Sequence, residues 1–364
     1  MATLVFKPTT ACNASCRYCA VVAHGKHATI SDELLGVVYQ RIEEYLRENP
    51  SEDLSVIWHG GEVALLGPAF FRKALQLHRK LSPAVQDRVY YKIQTNATAL
   101  SQELIDTWKQ LRITTVGSSY DPLPGIRRLG SPPSSRKYAE QFFKGVALLE
   151  KNGINWNVIY VVHKKSLESP EALYYHLTNM NLRGQPQFNR IYLYDDEQRE
   201  LTVSGSEYAD FLGRIISTAR RSTVRFPKLH PIDNFVNRAT NPEVSLPCVY
   251  TGNCAHSWLY IGPNGKVSHC GRSGDEQIMM EGNIEDVSIR DILYSGNRNE
   301  IAARSAYLQE NDCKGCRFWT ICHGGCPTDA FLRNGTLFSR GGTCEWVPLL
   351  AEKYLEPLYG ITFR

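Results

Sequence analysis

Along the first 195 residues the apolar positions switch repeatedly between two periods. Six short runs rich in β-branched and aromatic residues read as strands: Leu4–Thr9, Leu54–His59, Tyr90–Thr95, Ile113–Ser118, Asn155–Val162 and Gln187–Tyr194. Between them the apolar residues recur at helical spacing, which predicts helices over Asp32–Glu48, Pro68–Leu81, Gln102–Leu111, Tyr138–Lys151 and Pro170–Met180. Ser101 before Gln102-Glu103 and Ser169 before Pro170-Glu171 are N-cap signals, the second with proline at the first helical position, and Gly153 after Lys151-Asn152 is a stop signal. Strand–helix units with short connections call for a parallel sheet, so the expected fold is α/β. Six units suggest a partial (β/α)6 TIM-like barrel rather than the closed eight-stranded one. Functional residues in such sheets gather at the C-terminal rim of the strands.

Beyond residue 195 the pattern weakens. Tyr208–Arg221 reads as a helix, and the prolines that follow (Pro227, Pro231, Pro242, Pro247) read as a linker. Val347–Tyr359 is again amphipathic and is expected to pack back on the barrel. The resulting division is a barrel over 1–225, a linker over 226–247, a cysteine-rich domain over 248–346 and a C-terminal helix over 347–364. The first strand starts almost at Met1, so no room is expected for an N-terminal leader-peptide-binding domain.

Composition narrows the class. The chain of 364 residues has 43% hydrophobic residues and no apolar run of membrane-span length, and its first residues lack the basic start and apolar core of a secretory signal. A soluble, cytoplasmic protein is expected, with no membrane partner. A net charge of +4 is too small for a nucleic-acid binder. The basic cluster Arg220, Arg221, Arg225 and Lys228 fits a solvated helix end about as well as a site for an acidic peptide. Eleven cysteines in such a chain favour metal or redox chemistry over disulfides. Three lie between residues 12 and 19, and the other eight between Cys248 and Cys344, which marks the main domain boundary.

The first group reads Cys12-Asn13-Ala14-Ser15-Cys16-Arg17-Tyr18-Cys19 and follows the first strand. Three thiolates on one short loop can converge on three corners of a cubane iron–sulfur cluster, leaving the fourth iron open. An open metal position marks a catalytic site rather than a structural one. The same spacing describes a buried helical stripe, but Pro8, Asn13, Ser15 and the lack of flanking apolar residues argue against it. The pattern resembles the radical S-adenosylmethionine superfamily, in which an aromatic residue, here Tyr18, precedes the third cysteine. By that resemblance Cys12, Cys16 and Cys19 are catalytic cluster ligands. The open iron binds the amino and carboxylate groups of S-adenosyl-L-methionine, and reduction releases a 5′-deoxyadenosyl radical.

Further rim segments fit the resemblance. Trp58-His59-Gly60-Gly61-Glu62 is similar to the family's Gly-Gly-Glu-Pro motif, with Val63 in place of proline. This implies that Gly60, Gly61 and Glu62 hold the methionyl ammonium. Asn96, after the third strand, and Ser119 and Asp121, after the fourth, match segments that reach the ribose and carboxylate of the nucleoside; as turn residues they could equally just end their strands. Tyr120, Tyr192, Tyr194 and Asp195 are rim candidates for an acid or base, although tyrosines at barrel ends usually pack. His163, His230 and His256 are isolated and fit structural roles best.

The C-terminal cysteines run Cys248-x5-Cys254-x15-Cys270, then Cys313-x2-Cys316-x5-Cys322-x3-Cys326, then Cys344. Zinc ribbons compete for such a pattern, but only one Cys-x2-Cys knuckle occurs. With Gly265 ahead of Cys270, the arrangement resembles the SPASM domain of peptide-modifying radical enzymes. The resemblance implies two auxiliary clusters, one on Cys248, Cys254, Cys270 and Cys326 and the other on Cys313, Cys316, Cys322 and Cys344. The eleven cysteines then divide without remainder among three 4Fe-4S clusters.

The resemblance implies an enzyme that abstracts a hydrogen atom from an unactivated carbon of a precursor peptide, supplied with electrons by a flavodoxin or ferredoxin. Two closed clusters make sense if the substrate radical is later oxidised. Anaerobic sulfatase maturases, which make formylglycine, are associated with an Asp directly after the cysteine equivalent to Cys270, where this chain has Gly271-Arg272-Ser273. The Trp-His-Gly-Gly-Glu wording resembles maturases that cross-link side chains, most readily carbon to carbon, in ribosomally made peptides. Thioether formation and epimerisation stay open, as does a non-catalytic iron–sulfur carrier or zinc-stapled module from another class.

Overall fold

A computed structural model describes all residues except 20–26, 181, 183–185, 192–195 and 227, and the backbone alone at 196–197. Two compact units emerge, Met1–Asn157 with Ala255–Arg298, and Val158–Cys254 with Asn299–Arg364. The chain lays down β1 (Ala2–Phe6), α1 (Asp32–Glu48), β2 (Leu54–Trp58), α2 (Gly67–Lys80), β3 (Val89–Thr95), α3 (Gln102–Gln110), β4 (Thr115–Ser119) and α4 (Ser135–Lys151) in the first unit. It crosses into the second along β5 (Asn155–Val162), forming α5 (Pro170–Thr178), β6 (Gln187–Arg190), α6 (Gly205–Arg221) and α7 (Ile232–Thr240) there. It returns to the first unit for β7 (Trp258–Ile261), β8 (Lys266–Ser268), α8 (Gly271–Asp275) and β9 (Met280–Asn283).

The fold is α/β with a mostly parallel sheet. In the first unit the strand order is β4-β3-β2-β1-β7-β8-β9, parallel from β4 to β7 and antiparallel beyond. In the second, β5 pairs in parallel with β6, Val162 opposite Arg190. The predicted strands and helices fall within a few residues of those observed. The sixth strand ends at Arg190, and the rest of its predicted span, 192–194, lies outside the described residues. The periodicity did not reveal β7, a four-residue strand between cysteines that extends the parallel set beside β1.

Local chemistry explains the elements. Ser31 caps α1 by accepting from the Leu34 amide at 3.1 Å, with Asp32 and Glu33 at the positive end of the helix dipole. Alternate residues of β1 to β3 turn towards the helices. Trp58 is fully buried, 5.1 Å from the Phe6 ring and 5.5 Å from Phe71, which in turn lies 5.6 Å from Trp108. Each such side chain contributes roughly 1.5–3 kcal/mol by burial. The opposite face of β3 and β4 carries Tyr90, Lys92 and Thr115, all exposed, and the half-buried Gln94 and Ser119. A parallel sheet is ordinarily covered on both faces, so an open face is where a ligand has room.

In the second unit the segment read as linker contains α7, whose Phe235 is fully buried against Tyr250 (4.8 Å) and Trp346 (6.1 Å). Its prolines lie outside the helix body, and so do not break it. Val347–Tyr359 is helical throughout, with one π turn at Ala351–Leu355, and packs on α6. Tyr354 covers Gly213, and Lys353 Nζ and Tyr354 Oη both donate to Asp210 at 2.7 and 2.9 Å. Among the described residues no helix is long and apolar enough to cross a membrane.

Candidate functional site

The loop after β1 brings Cys12, Cys16 and Cys19 together. Burial pushes the Cys12 thiol up to about 12, and the adjacent Glu62, Cys16 and Cys19 push the same way. Burial also raises Cys16, against which the Arg127 guanidinium pulls most strongly. Thiols crowded and buried in this way resist ionising alone, and a cationic metal core is what makes their thiolate forms stable. Among the described residues no three His, Cys, Asp or Glu side chains are close enough to share one metal ion. Cubane ligands bind different irons, so their sulfurs stand further apart than donors to a single ion.

Neighbouring segments hold the loop rigidly. The Ser15 amide donates to Arg128 O at 2.9 Å, Arg17 N to Ile126 O at 3.1 Å, and Arg128 Nε to Ser15 O at 3.1 Å. Gly60 and Gly61 fit because the turn after β2 presses directly on it. A Cβ at Gly60 would stand 2.3 Å from Thr9 O, and one at Gly61 2.3 Å from Ala11 O. Gly60 also has φ +145°, which suits glycine.

Glu62 is buried, and both of its carboxylate oxygens are engaged by protein. Oε1 accepts from Thr95 Oγ1 at 2.6 Å and from the Ala64 amide at 2.9 Å, and Oε2 accepts from the Asn96 amide at 2.5 Å. Its side chain therefore ties the β2 turn to the end of β3. Asn96 extends the tie to the cysteine loop: its Nδ2 donates to Asn13 Oδ1 at 2.9 Å and lies 4.0 Å from Cys12 Sγ. Ser119 Oγ accepts from Gln94 Nε2 at 3.4 Å on the open face. Asp121 caps its own turn, accepting from Leu123 N at 2.8 Å. Tyr120 stacks on Phe142 at 4.7 Å and packs, as barrel-end tyrosines do, while Tyr192, Tyr194 and Asp195 lie outside the described residues.

Arg127 is the site residue that sequence reading missed. It is 7% exposed, donates from Nη1 to Tyr18 Oη at 2.6 Å and lies 4.9 Å from the Tyr138 ring centroid. Its buried Nε has no hydrogen-bond partner among the described residues. A buried donor left open beside a thiol cluster fits a site that takes an anionic group. The sole sequence signal was a basic pair, Arg127-Arg128, shortly after the fourth strand.

In the second unit Cys313, Cys316, Cys322 and Cys344 converge. Burial pushes Cys313 up to about 11, with Cys322, Cys344 and Cys316 adding to it, and Cys322 is raised the same way. Cys344 Sγ is 3.6 Å from Arg340 Nη1, and Cys322 Sγ is 3.5 Å from Thr343 Oγ1. Cys248 and Cys326 line a cavity of about 130 Å³ together with Arg190, His230, Asp329 and Trp346. Cys254 is buried in the same unit, whereas Cys270 starts α8 in the first.

The radical SAM superfamily matches residues 6–175, and SPASM, an iron–sulfur cluster-binding domain, matches residues 248–317. A serine-type anaerobic sulfatase-maturating enzyme of Bacteroides thetaiotaomicron is 24% identical over 91% of this chain and 83% of its own length. A cysteine-type enzyme of Clostridium perfringens is 22% identical over 89% and 88%. Among solved structures, native anSMEcpe with bound AdoMet superposes with a TM-score of 0.83 at 19% identity, covering 99% of this chain and 98% of that one. Streptococcus suis SuiB bound to its precursor peptide SuiA gives 0.61 at 14% identity, over 93% and 74%. These domains imply 4Fe-4S clusters and S-adenosylmethionine as cofactors, and the chain carries a radical SAM domain over residues 6–175 with a SPASM domain at its C-terminal side.

Proposed function

We propose that this protein is a peptide maturase that oxidises a side chain by two electrons, the product being a cross-link, most readily carbon to carbon. The observation that carries the reading is the gathering of three thiols in one unit, Cys16 buried among them, and of four in the other, with Cys313 and Cys322 buried, the first set beside a guanidinium whose Nε has no partner among the described residues. Cys12, Cys16 and Cys19 would hold the cluster that binds S-adenosylmethionine, with Tyr18 beside them. Cys313, Cys316, Cys322 and Cys344 would hold one auxiliary cluster, and Cys248, Cys254, Cys270 and Cys326 another. When bound, S-adenosylmethionine supplies the 5′-deoxyadenosyl radical, and the clusters supply and accept single electrons.

The chain's own residues position and enclose. The turn at Gly60 and Gly61 brings main-chain amides against the cysteine loop, Gly61 N donating to Thr9 O and Glu62 N to Ala11 O, the Glu62 side chain fixes that turn, and Arg127 offers Nε to a carboxylate. Ser119 and Asp121 at the end of β4 are the further nucleoside contacts of this reading. Peptide as substrate is supported by the likeness to sulfatase-maturating enzymes and to a precursor-peptide complex, and a flavodoxin or ferredoxin is the proposed reductant. A cross-link rather than formylglycine is supported by Gly271 where the maturase pattern places Asp. Formylglycine formation is the second reading, favoured by the named relatives that align along most of the chain.

The test is anaerobic reconstitution with co-expression of any short peptide encoded beside the gene. About twelve iron atoms per chain are expected for three cubanes. The peptide should lose two hydrogens and gain a fragmentation-resistant link between two residues. An aldehyde that reacts with a hydrazine probe in place of that link would turn the assignment to formylglycine. Bound zinc without 5′-deoxyadenosine would overturn both.

A further inference from the structure

Three ionisable side chains outside the cysteine loops meet where α8 covers the sheet of the first unit. Lys7 follows β1, His59 follows β2, and Asp275 ends α8. By strand alternation Lys7 and His59 face away from the helix-packed Phe6 and Trp58, next to Gly60 and Gly61. Lys7 is 3% exposed, and its Nζ forms a short ion pair with Asp275 Oδ1, 5.9 Å from the Tyr260 ring centroid.

Two glycines make this meeting possible. A Cβ at Gly271 would stand 3.1 Å from Val5 Cγ1, and one at Gly274 2.4 Å from Tyr260 Cδ1. Helix α8 therefore lies flat on the sheet and delivers a carboxylate to a lysine 268 residues earlier in the chain. Burying an ion pair costs desolvation that a surface pair avoids. Such a pair beside a rim site is a candidate for chemistry rather than scaffolding.

The oxidation proposed above, on which this inference rests, needs a proton acceptor. Of the two hydrogens removed from the peptide, one leaves as an atom and ends in 5′-deoxyadenosine. The other would leave as a proton, one of its bonding electrons staying with the product and one going to an oxidant, the part that an iron–sulfur cluster of the SPASM domain would supply when bound. Of the groups assembled here only one can take that proton. Lys7 is already a cation. His59 Nδ1 accepts from the Gly60 amide at 2.7 Å, so its hydrogen sits on Nε2 and the ring only donates. Burial raises the Tyr260 phenol, with Asp275 adding to it, so that group also stays protonated.

We infer that Asp275 is the base that accepts the substrate proton, held in place by Lys7, with His59 Nε2–H as a donor to the substrate. The Asp275 Oδ1 is engaged by Lys7, and Oδ2 makes no hydrogen bond to a described residue, which leaves it for the incoming proton. Lys7 is a positioning residue, holding the carboxylate in place through the ion pair.

The experiment compares cluster-loaded wild type, Asp275→Asn, Asp275→Glu and Lys7→Met, each given S-adenosylmethionine, reductant and whichever peptide the wild type oxidises, so the bond formed does not enter. The readout is the ratio of 5′-deoxyadenosine released to peptide lacking two hydrogens. Asp275→Asn should keep 5′-deoxyadenosine release within about threefold of wild type and raise the ratio at least tenfold, with Asp275→Glu restoring much of the coupling and Lys7→Met lying between. An unchanged ratio in Asp275→Asn overturns the inference and leaves the maturase reading standing. Loss of 5′-deoxyadenosine itself in Asp275→Asn and Asp275→Glu alike assigns Asp275 to the scaffold and also overturns it. Failure of the wild type to alter any peptide overturns the maturase reading first, and this base with it.

Discussion

Substituting Glu62 separates two jobs for one carboxylate. As a ligand for the methionyl ammonium it would use the lone pair left on Oε2, whereas as a strut it serves the three donors that already engage it: Thr95 Oγ1, the Ala64 amide and the Asn96 amide. Glu62→Gln can keep Oε1 for Thr95 and Ala64, but sets an NH2 group against the Asn96 N–H. Losing that bond and stranding a buried donor costs roughly 1–3 kcal/mol. Glu62→Ala strands all three donors and is expected to cost about 4 kcal/mol or more. The local readout is amide hydrogen exchange over the segment 89–98 by mass spectrometry, in cluster-loaded protein without S-adenosylmethionine. At tenfold per 1.4 kcal/mol, Glu62→Gln should speed exchange at Asn96 by about 5- to 150-fold. Thr95→Val, combined with it in a double-mutant cycle, should show coupling of about 0.5–2 kcal/mol. Unchanged exchange together with S-adenosylmethionine binding weakened more than tenfold would refute the strut and return the carboxylate to the ligand.

Two further outcomes follow from the same packing. Gly61→Ala puts a methyl 2.3 Å from Ala11 O and 2.5 Å from Thr10 O, an overpacking of about 1–3 kcal/mol that the cysteine loop relieves by moving. Iron bound per chain should fall by about a third, one cubane of three, with the remaining clusters still visible by electron paramagnetic resonance. His230, 9% exposed, is pushed down to about 4 chiefly by burial, against an ordinary value near 6.5. It is folded neutral, so its stabilising contribution is whole above pH 6.5 and is lost as the pH falls from there towards 4. The loss reaches about 3 kcal/mol at the low end. Urea midpoints measured at pH 7.5 and 4.5 should therefore converge in His230→Gln relative to wild type.

The parts of this protein that repeat locally were legible in the chain, and the parts that meet across it were not. Ser31 before Asp32 and the stripe Leu35, Val38, Ile42 and Leu46 determine α1 within seventeen residues, so period and cap suffice. The spacing of Cys12, Cys16 and Cys19 likewise places three thiols on one loop before any tertiary structure is known. Strand β7 escaped because four residues carry too short a period to stand out between cysteines and turns. Helix α7 escaped because prolines on either side of Ile232–Thr240 read as punctuation, while Phe235 gains its burial from Tyr250 and Trp346, which are remote in sequence. Arg127 was invisible for the same reason, and so were the partners of Glu62, although its motif marked the residue itself. Each is defined by partners tens of residues away, Tyr18 for the one and Asn96 for the other.

Those long-range partners also explain how the thiol sets tolerate burial. Burial raises Cys12, Cys16, Cys313 and Cys322, yet metal binding needs thiolates, so fixed positive charge must stand close by. In the first unit Arg127 fills that place, pinned by Tyr18 and flanked by Tyr138. In the second, Arg304 is 3% exposed and donates to the carbonyls of Leu337, Gly325, Gly324 and Ser339 at 2.7–2.9 Å, so its charge cannot swing away. It senses Cys326, Cys254, Cys313 and Cys322, members of both proposed auxiliary sets. Net charge near a cluster is one of the terms that set its potential. A guanidinium locked by four carbonyls holds that term constant through a turnover, whereas one on a mobile surface chain would be screened and would wander.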